Sequence, residues 1–256
     1  MNLFDMAGRV ALVTGAAGGL GQAIAHAFAA HGADLVLTDA DLAAAERVAQ
    51  SCREAGVRAC ALGADLADTA QVRALGKAAQ EAFGGLDVLV CNAAMAGPVG
   101  PLLEVSRADW DRVFQVNLAS AHALTAMLVP SMAERGGGSV IFVASIAGLR
   151  GNKAIGLYGM TKAALAQLAR NLAVEWGPRN VRANAIAPGV ISTPFAATMI
   201  ADEAYMKRRL SLTPLRRVGQ PNEVAGVAVM LASPAGAFVT GQTLVVDGGT
   251  LISDGN

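Results

Sequence analysis

Tyr158-Gly159-Met160-Thr161-Lys162 sets a phenol and an ammonium at positions i and i+4 of a helical pattern. Residues so spaced share a helix face, so the two side chains point into the same space. A phenol titrates near pH ~10 and is a poor base at neutrality. An ammonium held nearby favours the phenolate and lowers that value. Tuning toward the working pH is what a general acid–base needs. Ser145 strengthens the pair, because it stands upstream at the carboxyl end of an expected strand. In doubly wound sheets ligands bind beyond those ends. Tyr-xxx-Lys alone is usually only a helix face, so the elements around it must carry the case.

A second motif lies near the start of the chain. Thr14-Gly15-Ala16-Ala17-Gly18-Gly19-Leu20-Gly21 joins a buried strand to an amphipathic helix. A turn this tight lets backbone approach a pyrophosphate where a Cβ would obstruct it. The helix N-terminus then offers unpaired N–H groups and a partial positive charge. Asp39 ends the second expected strand, where a carboxylate can accept from adenosine ribose hydroxyls and would repel a 2′-phosphate. Ala17-Gly18 and Ala40-Asp41 put no basic residue in the turn or just after that strand, so NAD is expected over NADP. Asp41 is the better cap for the next helix.

The elements alternate. Strands are expected at 10–14, 34–38, 57–61, 86–91, 139–144, 181–187 and 244–246. Helices are expected at 20–30, 42–55, 69–83, 106–135 with a break near Asn117, 157–176 and 221–231. Continuously apolar strands alternating with helices mean a parallel sheet covered on both faces, a doubly wound α/β fold. No repeat or linker divides residues 1–256, so one domain is expected. The segment from Gly189 to Gly219 has no clean strand, and a lid is expected at about 190–215.

Composition agrees. The chain has 256 residues, 54% hydrophobic and 16% charged, with 20 Lys+Arg against 20 Asp+Glu. That excludes a disordered chain and gives no electrostatic footprint for nucleic acid or an anionic membrane. No run reaches the ~18 consecutive apolar residues of a spanning helix, so no membrane partner is expected. Met1 to Arg9 has no basic segment followed by an apolar run, so no secretory leader is expected. Cys52, Cys60 and Cys91 form no CxxC, which favours a reducing, cytoplasmic location. His26, His31 and His122 have no ligand spacing, so no metal is expected.

The TGxxxGxG spacing, Asp39, Asp65, Asn92-Ala93, Asn117, Ser145, Tyr158, Lys162 and Pro188-Gly189 with Thr193 occur in one order. In that order the chain resembles the short-chain dehydrogenase/reductase family over roughly residues 8–250. The resemblance implies a Rossmann-type seven-stranded parallel sheet. Tyr158 would exchange a proton with an alcohol or carbonyl, and Ser145 would hydrogen-bond the same oxygen. Lys162 would hold the nicotinamide ribose and depress the Tyr158 pKa, a push the nicotinamide cation would share. Asn117 would anchor a water that continues the proton relay. The dinucleotide would lie against Gly15, Gly19, Leu20, Gly21, Asp39, Asp65, Leu66, Asn92 and Ala93. Tyr158, Lys162, Pro188, Gly189, Ile191 and Thr193 would complete its site. Cys91 and Ala94 depart from the family pattern, where Asn and Gly are common.

Ala147, Leu149, Ile155, Phe195, Met199 and Met206 would line the substrate pocket. Their apolar character suggests a small or medium secondary alcohol or ketone as the small-molecule partner. The reading is an NAD-dependent oxidoreductase. One alternative is an NADP-dependent 3-oxoacyl-(acyl-carrier-protein) reductase, with Arg135 and Arg179 as dock residues. The other is a non-catalytic NAD-binding sensor or scaffold, which the complete Ser145, Tyr158 and Lys162 set argues against. The family's dimer face would use helices around 119–132 and 163–176, and its C-terminal strand the segment 241–249. A homotetramer is therefore expected.

Overall fold

Val10–Thr14 (β1) is buried at every position of its length. Its side chains alternate between two cores: Ala11 and Val13 face one, Val10 and Leu12 the other. That is the period of a strand covered on both faces. The computed structural model describes residues 2–253 and places β1 inside one seven-stranded sheet, whose edge strands are less buried. The other strands are β2 (Asp34–Asp39), β3 (Ala59–Gly63), β4 (Val88–Cys91), β5 (Gly138–Val143), β6 (Val181–Pro188) and β7 (Thr243–Val246). All neighbours are parallel, in the order β3-β2-β1-β4-β5-β6-β7. The expected doubly wound Rossmann-type sheet is therefore observed. Its winding reverses between β1 and β4, the crevice where such sheets bind ligands.

Helices α1 (Gly19–Ala30), α2 (Leu42–Glu54) and α9 (Pro221–Ala232) cover one face, through Ile24, Phe28, Val48 and Val229. Helices α3 (Thr69–Glu81), α5 (Ser120–Glu134) and α6 (Gly156–Trp176) cover the other, through Leu75, Leu128 and Leu165. Asp41 caps α2 by accepting the Ala44 N–H at 2.9 Å, as expected.

Three details differ from the expected elements. β3 starts at Ala59, not Val57, because its register pairs Leu35 with Ala59, and Gly56 (φ +97°) places Val57 still in the turn. β4 starts at Val88, because the Asp87 carboxylate itself takes the Val10 N–H at 2.9 Å. The long helix is not simply broken near Asn117. Between α4 (Arg107–Phe114) and α5 it widens into a π-helical turn, Gln115–Ala119. By length and composition Arg107–Glu134 could cross a membrane, an 18-residue stretch of it having mean hydropathy 1.3. In this fold Leu124, Leu128 and Met132 are buried in the core of the sheet.

The segment expected as a lid contains two short helices, α7 (Ala197–Ala201) and α8 (Glu203–Ser211). Asp202 separates them and caps the second by accepting the Tyr205 N–H at 2.9 Å. The base of the excursion is closed by a parallel bridge between Ile191 and Gly219.

Candidate active site

The glycine turn is built by a clamp between β1 and β4. Thr14 Oγ1 accepts the N–H groups of Asn92 (3.0 Å) and Ala93 (3.1 Å) and donates to the Val90 carbonyl at 3.3 Å. Asn92 Nδ2 donates back to the carbonyls of Thr14 (2.9 Å) and Gly15 (3.1 Å). Gly15 has φ +64°, and a Cβ there would lie 2.8 Å from Ala93 Cα. A Cβ on Gly21 would collide with the Gly15 carbonyl oxygen. Among the described residues the N–H groups of Leu20 and Gly21 find no backbone acceptor, and Gly18 gives α1 no side-chain cap. A close-approach cradle ending in free N–H groups fits the pyrophosphate of a dinucleotide.

Asp39 stands beside this turn and accepts the Ala17 N–H at 3.0 Å. Asp65 is exposed beyond β3, where it accepts the Ala67 N–H at 2.9 Å. Leu66 is buried, and its carbonyl accepts from Gln115 Nε2 at 3.2 Å. On the far side, Pro188 ends β6 opposite Val246, and the Gly189 N–H donates to the Val246 carbonyl at 2.9 Å. Ile191 is buried at the base of the lid. Thr193 packs so near the glycine turn that a Cβ on Gly19 would lie 2.8 Å from its methyl carbon. The residues expected at the dinucleotide thus share the carboxyl edge of the sheet.

Ser145 follows β5 and caps the short turn Ile146–Gly148 by accepting the Ala147 N–H at 3.1 Å. Tyr158 lies in the first turn of α6, and Lys162 comes one turn later. Lys162 is 1% exposed, so its ammonium is inside the protein. Nζ donates to the Val143 carbonyl at 2.7 Å and sits 5.4 Å from the centre of the Tyr158 ring. Burial lowers the Lys162 pKa to about 7, with neighbouring Cys91 pulling it the other way. Burial pushes the Cys91 thiol up to about 12, against the pull of Lys162. The departure at Cys91 therefore falls beside the site lysine.

The phenol behaves differently from the expectation. Burial raises the Tyr158 pKa to about 12, and the Ser145 hydroxyl is the group that pulls it down. Lys162 sits over the ring face and is itself depleted of charge by burial, so it does not supply the expected lowering.

Asn117 is 2% exposed in the π-helical turn. Its Oδ1 accepts the Met95 N–H at 2.8 Å, and Nδ2 donates to the Met95 carbonyl (2.9 Å) and Thr161 Oγ1 (3.1 Å). The amide expected to anchor a water is thus engaged by protein. It ties the segment after β4 to the residue before Lys162.

The pocket residues divide. Phe195 lies over Tyr158 with ring centroids 6.0 Å apart. Ala147 and Met206 are buried, Met199 and Ile155 half-buried, and Leu149 is exposed. Asn152 escaped the sequence reading. Its Nδ2 donates to the carbonyls of Ala147 (2.7 Å) and Arg150 (2.9 Å), which pins the loop between Ser145 and Tyr158. Thr161 and the Val143 carbonyl were also missed, because their roles depend on partners distant in sequence. Arg135 and Arg179 precede β5 and β6, so they lie at the opposite edge of the sheet from Ser145. Arg135 is already held there by the Gly84 carbonyl at 2.6 Å. A carrier protein docked on them would face away from Tyr158.

Burial of Lys162 also makes stability depend on pH. Between pH 7 and 10.5 the unfolded lysine holds a proton that the folded one has released. Stability therefore rises with pH through that window. Lys162→Met should flatten this rise between pH 7 and 9.5, as read from urea unfolding midpoints. An unchanged slope would refute the assignment. Tyr158 works in the opposite direction, but only above about pH 10.

The comparisons with known proteins run the length of the chain. A family model described as enoyl-(acyl carrier protein) reductase matches residues 15–250. The cis-4-hydroxycyclohexanecarboxylate dehydrogenase of Sinomonas cyclohexanicum is 41% identical over 242 residues, covering 94% of this chain and 96% of its own. The solved structure of 7α-hydroxysteroid dehydrogenase with NADH and 7-oxo glycochenodeoxycholic acid has a TM-score of 0.91 and 36% identity, over 96% of each chain. A gluconate 5-dehydrogenase of Burkholderia cenocepacia, solved with NADP and tartrate, has a TM-score of 0.93 and 33% identity, over 98% of each chain. With sheet order, motif order and likeness agreeing from end to end, the chain belongs to the short-chain dehydrogenase/reductase family of oxidoreductases.

Proposed function

We propose that the chain is an NAD-dependent dehydrogenase that interconverts a secondary alcohol and a ketone, with Tyr158 as its general acid–base. The observation that carries this is the convergence of Ser145, Tyr158 and buried Lys162 at the carboxyl edge that also holds the glycine cradle. A dinucleotide held by the glycine cradle would supply nicotinamide C4 as the hydride donor or acceptor. Ser145 holds the substrate oxygen, and Tyr158 exchanges the proton with it. A phenol raised to about 12 keeps its proton, the form that completes ketone reduction. Alcohol oxidation needs the phenolate, which the charge of an oxidised nicotinamide would favour. Asn117 serves the site by fixing Met95 and Thr161.

Asp39 and the absence of a basic side chain at Ala17, Gly18 and Ala40 favour NAD. Of the residues expected in the pocket, Ala147, Ile155, Phe195, Met199 and Met206 are apolar, which suits a carbon ring or short chain around the reacting oxygen. Two of the relatives act on ring-borne oxygens by their names, which supports that substrate class.

The proposal extends to a homotetramer in the reducing cytoplasm. An apolar hollow of about 510 Å³, lined by Phe114, Leu118 and Leu168 among others, lies on the surface of α4 to α6 and suits a subunit contact. Three free cysteines suit a reducing compartment.

Tyr158→Phe should cut ketone reduction by about 10²–10⁴-fold. Activity surviving within about tenfold would remove Tyr158 from proton transfer. On one ketone, kcat/KM with NADH should exceed that with NADPH by at least about tenfold, since Asp39 repels a 2′-phosphate. The reverse ranking would overturn the cofactor assignment. Light scattering should give four times the chain mass of 25.9 kDa. A monomeric mass at micromolar concentration would refute the tetramer.

A further inference from the structure

Between Gly189 and Gly219 the chain leaves the sheet, passes the site and returns. Its outgoing leg packs on the site. Phe195 lies against Tyr158, and a Cβ on Gly19 of the glycine turn would meet Thr193 and Pro194. Beyond that leg the excursion is bonded almost wholly to itself. Among the described residues every hydrogen bond of residues 194–212 finds its partner within 193–216. None of those residues forms an ion pair there. Packing alone therefore holds α7 and α8 to the body until Thr213 is reached.

Both legs meet one loop, the turn that follows β7. On the outgoing leg a Cβ on Gly189 would lie 2.8 Å from Asp247 Cα. On the return leg the Leu215 N–H donates to the Gly248 carbonyl at 3.1 Å. Gly249 sits so near Pro214 that a Cβ would lie 2.7 Å from its Cγ. The loop is fixed from within, because Asp247 accepts the Gly249 N–H on Oδ1 at 2.8 Å and the Leu251 N–H on Oδ2 at 2.7 Å. At the contact the hydroxyls of Thr213 and Thr250 meet at 2.9 Å, and both residues are buried. Thr213 Oγ1 also lies 2.9 Å from the Arg209 carbonyl near the end of α8, and Thr250 Oγ1 lies 2.8 Å from the Asp247 carbonyl. Two protons serve these three contacts, so the pair closes when either hydroxyl turns from its carbonyl to the other. Each carbonyl then keeps a backbone N–H, that of Leu212 at 3.2 Å or that of Thr250 at 3.4 Å. A hydroxyl pair shielded from water is costly to part, because nothing replaces the lost bond.

We infer that Thr250 is a positioning residue for the reaction: its hydroxyl clasps Thr213, fixes α8 with its buried Met206 beside the site, and so strengthens substrate binding. The inference rests on the proposed alcohol–ketone chemistry for what the lid encloses. It adds a residue from the far end of the chain, on no element of the catalytic set, that governs the lid.

Trypsin on the full chain with NADH tests the clasp without turnover, because cleavage after Lys207, Arg208 or Arg209 requires α8 to open. Thr250→Val should speed those cuts by about fivefold, the worth of one neutral hydrogen bond. Cleavage after Arg47 on α2 and Arg73 on α3 should not change. Thr213→Val removes the same contact from the other side and should act alike, whereas Thr250→Ser should behave as the parent. Thr213→Val and Thr250→Val together should be cut no faster than Thr213→Val alone, since the two hydroxyls act as one contact. In kinetics with cyclohexanone and NADH, Thr250→Val should raise KM at least about threefold with kcat unchanged, because the ketone must then order the wall it binds. Unchanged cleavage on α8, or an equal rise on α2 and α3, would overturn the clasp. Faster cleavage on α8 with KM unmoved would overturn its part in substrate binding. Faster cleavage on α8, with no ketone of a cyclic and short-chain panel reduced by the parent, would overturn the alcohol–ketone chemistry and leave the clasp standing.

Discussion

A single hydroxyl ties the two strands on which the site is built. Thr14 takes two N–H groups from the segment that follows β4, and Asn92 returns two hydrogen bonds to the carbonyls of Thr14 and Gly15. Parallel strands on either side of a winding reversal diverge once their ladders end, because their helices leave on opposite faces. The Thr14 and Asn92 clamp holds the crevice at a fixed width there. Gly15 then approaches Ala93 so closely that no side chain fits between them. The position of α1, and of the N–H groups at its start, follows from that contact.

Electrostatics set the second constraint. An ammonium sealed at 1% exposure with one protein carbonyl close by is costly to keep charged. The chain accepts a lysine titrating near 7 and a phenol titrating near 12, the reverse of what each group would choose in water. Burial is the larger cause of both shifts. Charge brought in by a bound cofactor therefore acts on a site already far from its solution balance.

Much of this was legible in the amino-acid order. Thr14 to Gly21, Asp39, Ser145, Tyr158 and Lys162 could be read because chemistry demands those residue types at those spacings. The strands could be read because burial on both faces demands unbroken apolar runs. What escaped was set by contacts between distant segments. Val57 is as β-prone as its neighbours, but pairing with β2 begins at Ala59. Asn152 looked like any loop asparagine until the Ala147 carbonyl lay beneath it. The direction of the Tyr158 shift depends on how deeply the lid and the helix bury the ring. Arg135 and Arg179 teach the converse, since their places just before β5 and β6 already put them at the far edge.

The π-helical turn at Gln115–Ala119 acts as a rotary offset in a continuous helical rod. One residue is about 100° of arc in an α-helix. Widening a single turn therefore lets α4 and α5 aim their apolar sides along different bearings without a break in the backbone. Asn117 occupies the point where the bearing changes, which is why a polar side chain can turn inward there while Leu124 and Leu128 still meet the sheet. Removing one residue from this rod would leave its length nearly unaltered but rotate one half against the other. Either the amide would swing away from Met95 and Thr161, or the core stripe of α5 would swing into solvent. The rod therefore tolerates substitution along its exposed side far better than any change in its count of residues.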